Sequence, residues 1–79
     1  MKKDLKKKLQ ALDTSLSKIG SGLDAIDKTG DDSYFSTHKK QSQRLLDSLP
    51  KEVQEKLSSS KPGMHNWHKL RAEVRKLQE

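Results

Sequence analysis

The chain has 79 residues, no cysteine and a formal net charge of +6. A chain this short holds at most one domain and buries only about 60% of its unfolded surface, too little for a second core or a deep substrate cleft. Without cysteine there is neither a disulfide nor a thiolate metal site, and the positive balance points to acidic partners: nucleic acid, an anionic membrane or an acidic protein face.

The core material is thin. Leu, Ile, Val and Phe together number 16, and a small scaffold with so little apolar matter ordinarily draws extra burial from oligomerisation or a partner. Met1-Lys2-Lys3 resembles the start of a signal peptide, but Lys6, Lys7 and Lys8 interrupt the apolar run that should follow. No stretch approaches the length of a membrane span. The expectation is a single helical domain over 1–79 in a cytoplasmic protein. The charge is uneven: residues 1–8 carry five Lys against Asp4, a local +4, and residues 61–76 carry Lys61, Lys69, Arg71, Arg75 and Lys76 against Glu73, again +4.

In chain order, the first expected element is a long amphipathic helix over 2–28. Leu5, Leu9, Leu12, Leu16, Ile19, Leu23 and Ile26 are spaced alternately four and three residues apart. That is the heptad of a helix with one narrow apolar seam, with Leu9, Leu16 and Leu23 at a and the others at d. Lys3, Lys6 and Lys7 fall on the opposite face, as a solvated flank or a phosphate-binding edge. Gly20-Ser21-Gly22 interrupts the composition, and each interior glycine costs about 1 kcal/mol relative to alanine. The leucine phase nevertheless runs through it, which predicts a continuous or gently bent helix. Gly20 and Gly22 fall at e and g, where another backbone could approach closely.

Thr29-Gly30-Asp31-Asp32-Ser33 reads as a turn, with Gly30 as a C-terminal cap and Asp32 or Ser33 as the next N-cap. A calcium loop is rejected there, because the glycine is misplaced and no glutamate closes it. The second helix is expected over 33–49. Its face of Phe35, Leu45, Leu46 and Leu49 is weakened by a polar middle at His38 and Ser42. Pro50 at the first helical position opens a third helix over 50–58 with Val53 and Leu57 inside. Residues 58–63, Ser-Ser-Ser-Lys-Pro-Gly, read as a flexible turn. The last helix is expected over 64–78, with Met64, Trp67, Leu70, Val74 and Leu77 continuing a seam and Asn66 a candidate cap if it starts late.

No catalytic constellation is visible, so no enzyme activity, cofactor or metal is expected. His65 and His68 are spaced for two ligands on one face, and His38 could add a third, but nothing supplies a fourth. The candidate site is polar and basic: His65, Asn66, His68, Lys69, Arg71, Arg75 and Lys76 on the last helix, with Lys3, Lys6 and Lys7 of the first helix as further phosphate contacts. Such a helix could enter a major groove as part of a loose helix-turn-helix, with Asn66 and Arg71 reading bases, or it could be only the solvated face of a core helix.

The resulting expectation is an all-α small helical bundle, one long heptad helix with about three shorter ones, completed as a homodimer. The dimer follows from coverage, since a polar-centred second helix and a short third are poor covers for seven seam residues. The leading function is a small non-enzymatic regulator binding nucleic acid, DNA before RNA. The alternative is an interaction module, an adaptor or inhibitor docking its leucine seam or basic face on an acidic protein.

Overall fold

The computed structural model describes residues 3–79; Met1 and Lys2, the latter the expected first residue of the long helix, lie outside them. The described chain is helical, with α1 (Lys3–Thr29), α2 (Ser33–Asp47), the single-turn α3 (Lys51–Gln54) and α4 (Trp67–Leu77). At about 1.5 Å per residue α1 is about 40 Å long, and the molecule measures 41 × 20 × 20 Å. The long helix is therefore the full length of the structure, and it runs unbroken through Gly20 and Gly22.

The two flanks of the seam receive different elements. On the g side, Ser15 meets Ser42 of α2, and Gly22 lies against the backbone of Phe35. Seven residues back along α1 correspond to seven forward along α2, so the two helices form an antiparallel pair in a fixed heptad register. On the e side, Asp13 receives Arg71 of α4 and Gly20 receives the ring of Trp67. Hence α4 also runs antiparallel to α1 and parallel to α2.

A three-residue turn joins α1 to α2. Gly30 sits at φ 75°, the left-handed conformation that glycine adopts without strain, and its N–H donates to Ile26 O. Asp32 holds the N-cap position but makes no side-chain cap bond. The preceding residue supplies it: the Ser33 N–H donates to Asp31 Oδ1. This bond holds the Asp31 carboxyl below the usual carboxylate range. With a depressed folded value, its support for the turn is present at neutral pH and is lost as pH falls through that value.

Parallel helices need a crossover, and residues 48–66 provide it. Val53 and Leu57 enter the core from this segment. Its Ser58 N–H and Oγ–H donate to Glu73 of α4, while Gln43 of α2 donates to Ser60 O. The segment thus bridges α2 and α4, and its Val53 and Leu57 help to close the core. The stretch read as flexible over 58–63 is tied to both helices, and Pro62 within it is buried.

Three helices are shorter than expected: the second, expected over 33–49, ends at Asp47, and the third and last differ more. The third was expected over 50–58 but α3 stops at Gln54, because Lys56 and Leu57 bond three residues back, a tighter turn that swings Leu57 inward. The last was expected over 64–78 but begins at Trp67, whose N–H bonds Gly63 O. Met64 therefore falls in the preceding turn and is 49% exposed, instead of extending the seam.

The core consists of Leu9, Leu12, Leu16, Ile19, Leu46, Leu49, Val53, Leu57, Leu70 and Val74. The middle of the seam is thus covered from within the chain. Coverage was the reason for expecting a second copy there, and the chain's own α2, α4 and crossover meet it. At the seam's ends Leu5, Leu23 and Ile26 remain half-buried. The polar centre of α2 is met by α1: the Ser15 and Ser42 Oγ atoms are 2.7 Å apart, and Ser15 also reaches His38 O at 3.3 Å. With Ser15 donating to that carbonyl, Ser42 donates to Ser15. A buried, satisfied polar pair fixes register as well as contributing about 1 kcal/mol. Ser15→Ala and Ser42→Ala should each cost about 1 kcal/mol in chemical denaturation, and the double variant no more than either single. A double loss equal to the sum would show that the pair does not interact.

Candidate functional site

The expected site residues divide into two groups along α4. Arg71 and Arg75, four apart, lie on one side of the helix and converge on one carboxylate. Arg71 Nε donates to Asp13 Oδ1 at 2.8 Å, and Arg75 Nε lies 3.7 Å from Asp13 Oδ2. The Asp13 side chain is 21% exposed and that of Arg71 36%, against 63% for Arg75. Arg71 is therefore an anchor between helices, while Arg75 keeps most of its guanidinium in solvent. Trp67 packs from the same helix onto Gly20, and Leu70 and Val74 enter the core.

Asn66, one of the two expected base readers, faces backward into the crossover. Its Oδ1 accepts the Gly63 N–H and its Nδ2 donates to Lys61 O. Both of the expected base-reading side chains thus have structural partners. The loose helix-turn-helix is not formed either: α3 is one turn long and the twelve residues 55–66 separate it from α4, where such motifs use three or four.

His65, His68, Lys69 and Lys76 are exposed, and His68 stands edge-on to the Trp67 ring at 5.7 Å. His38 lies on α2, its ring tilted against that of Tyr34 and paired with Gln41. Among the described residues no three His, Asp or Glu side chains are placed to hold a metal ion.

The antiparallel fold brings the two basic segments to one end. α4 finishes near the start of α1, so Arg75 and Lys76 lie at the same end as Lys3, Lys6, Lys7 and Lys8. Lys6 shares heptad position e with Asp13 and stands two turns, about 10 Å, further along the flank that α4 occupies. All six cations are exposed, with Asp4, Glu52 and Glu79 the acids among them. Lys8 also donates to Ser48 O, steadying the C-terminal end of α2. Sequence spacing could not show this convergence, because it depends on α4 running antiparallel to α1. Lys8 and the anchor Asp13 are the site residues that sequence reasoning missed. An acid at an e position, facing two arginines four apart on another helix, was the available signal for Asp13.

Asp13 holds positive charge back from solvent. Asp13→Asn should lower stability by less than about 1 kcal/mol, since the pair is partly exposed, while releasing two guanidinium groups. The same variant should bind polyanions more tightly, and fluorescence anisotropy beside a thermal melt would separate the two effects.

No helix among the described residues is long and apolar enough to cross a membrane. No family model matches the chain, and comparison with curated proteins and with solved structures likewise finds no match.

Proposed function

We propose that this protein is a small non-enzymatic regulator that binds nucleic acid, DNA before RNA, through the phosphate backbone. The observation that carries this reading is the meeting of Lys3, Lys6 and Lys7 with Arg75 and Lys76 at one end of a 41 Å molecule. Charges more than sixty residues apart in sequence gain a common surface, as phosphate binding requires. Asn66 and Arg71 are engaged within the fold, so the contacts are to phosphate rather than to base edges, and the expected sequence preference is weak.

The alternative is an interaction module docking on an acidic protein through its leucine seam or its basic face, and of these two routes the seam receives less support. Leu9, Leu12, Leu16 and Ile19 are fully buried, so a partner would have to open the core to reach them.

The test is titration into labelled duplex DNA and single-stranded RNA at several salt concentrations, with wild type and with Lys6, Lys7, Arg75 and Lys76 replaced by alanine. These four residues are exposed, so the fold should survive. Every phosphate that the variant no longer neutralises should flatten the log–log salt slope by about 0.9 on duplex DNA. Unchanged binding by the variant would overturn the assignment of the surface. Wild-type binding that vanishes above low salt, alike for every polyanion, would overturn the nucleic-acid reading.

A further inference from the structure

The outward face of α4 carries groups that neither the core nor the basic end has absorbed. A helix advances about 100° per residue. Trp67, Leu70, Val74 and Leu77 pack on the core, which leaves Ala72 near the centre of the opposite side. His68 and Arg75 lie within about 60° of Ala72 on the side toward α1, and Lys69 and Lys76 within about 60° on the side toward the crossover. All five residues are exposed. The neighbouring acid, Glu73, is turned away and accepts the Ser58 N–H and hydroxyl. Asp13 of α1 lies 3.7 Å from Arg75 but leaves that side chain 63% exposed.

The face is therefore two rows of N–H donors, three of the four permanently cationic, with only a methyl group between them. The members of each row are seven residues, about 10 Å, apart along the helix. α1 carries the face onward. Trp67 lies at Gly20 and Arg71 at Asp13, so α4 ends about one turn short of Lys6, which occupies the same flank. Lys3 stands about one turn beyond Lys6, and the path from Lys3 to His68 is about 24 Å long at about 1.5 Å per residue of α1.

We propose that one strand's sugar–phosphate backbone lies along α4, over Ala72 and between these two rows, and runs on to Lys6 and Lys3. The proposal rests on the nucleic-acid reading and gives it a direction: the strand follows the long axis of the molecule instead of capping its end. A phosphodiester presents two non-bridging oxygens, one for each row, and the small Ala72 side chain lets it approach the helix. Lys69 and His68 thereby become phosphate contacts, which position the strand without reading its sequence.

Titration of labelled duplex DNA near physiological salt tests the path, with circular dichroism to check the fold of each variant. Ala72→Glu places a carboxylate on the floor of the track, and Ala72→Gln a neutral group of the same size. The Glu variant should bind about tenfold more weakly than the Gln variant, or worse. Thr37→Glu, exposed on α2 and outside the track, changes the net charge equally. It should stay within about twofold of wild type, because the Debye length is about 8 Å at this salt. Lys69→Ala should flatten the log–log salt slope by about 0.9. Equal binding by the two Ala72 variants, an equal loss in Thr37→Glu, or an unchanged slope in Lys69→Ala would each overturn the track. If the basic-end alanine variant still weakens binding in that case, the nucleic-acid reading stands without the track. Wild-type protein that binds no DNA overturns both.

Discussion

Leu16→Ala is expected to remove a large share of the protein's stability. Leu16 is completely buried among residues of α1, α2, α4 and the crossover. Truncating such a leucine costs about 2–5 kcal/mol through lost transfer energy and the cavity left behind. A 79-residue domain has only about 4–12 kcal/mol in total, at about 0.05–0.15 kcal/mol per residue. Circular dichroism during urea denaturation would show a lowered midpoint, or no folded baseline at all. The experiment also separates two roles for the seam. If it is the core of a self-sufficient fold, the urea midpoint falls; if it only awaits a partner, the isolated protein keeps its midpoint and loses binding instead.

Gly22→Ala should be destabilising by about 2 kcal/mol, although alanine is the better helix former by about 1 kcal/mol. The sign is the informative part. A Cβ at residue 22 would stand 2.6 Å from Cα and 2.8 Å from the backbone N of Phe35. Backbone cannot rotate away as a side chain can, so α2 would have to move off α1, and overpacking of this kind costs about 1–3 kcal/mol. The same close approach holds the Ser15–Ser42 register one heptad away, so the variant should also loosen that pair. Gly20 differs in degree: its added Cβ would meet Cη2 of the Trp67 ring at 2.6 Å, and a tilt of the indole can relieve part of the clash. Thermal melts of the two alanine variants should therefore rank Gly22→Ala as the more damaging. Stabilisation by Gly22→Ala would mean that the helices do not pack this closely.

The heptad made α1 legible, including its passage through the two glycines, since an uninterrupted phase from Ile19 to Leu23 has no other simple cause. The all-α class and the approximate positions of α2 and α4 were legible for the same reason, periodicity being a local property. What the two flanks of α1 would receive was not local. Gly20 and Gly22 announced close approach, but only the fold shows that one admits an indole and the other a backbone. The polar centre of α2 reads as a weakness until Ser42 is matched with Ser15, 27 residues away. Arg71 looks like a reader of bases until Asp13, 58 residues away, is seen to hold it. Met64 fits the seam by spacing alone, and the Pro62-Gly63 break decided otherwise.

The division of α1 between two separate coverings bears on the order in which the molecule forms and opens. α2 reaches α1 through a three-residue turn, whereas α4 must close a much longer loop. From the separations of 27 and 58 residues, closing the longer one costs about 0.7 kcal/mol more in chain entropy. The α1–α2 hairpin is thus expected to form first in folding, and α4 with the crossover later. In the native protein the same hierarchy makes α4 the first helix to lift. Its backbone amides, those of Leu70 and Val74 included, should exchange with solvent through an opening shallower than global unfolding. The amides of α1 around Leu12 and Leu16 should exchange last.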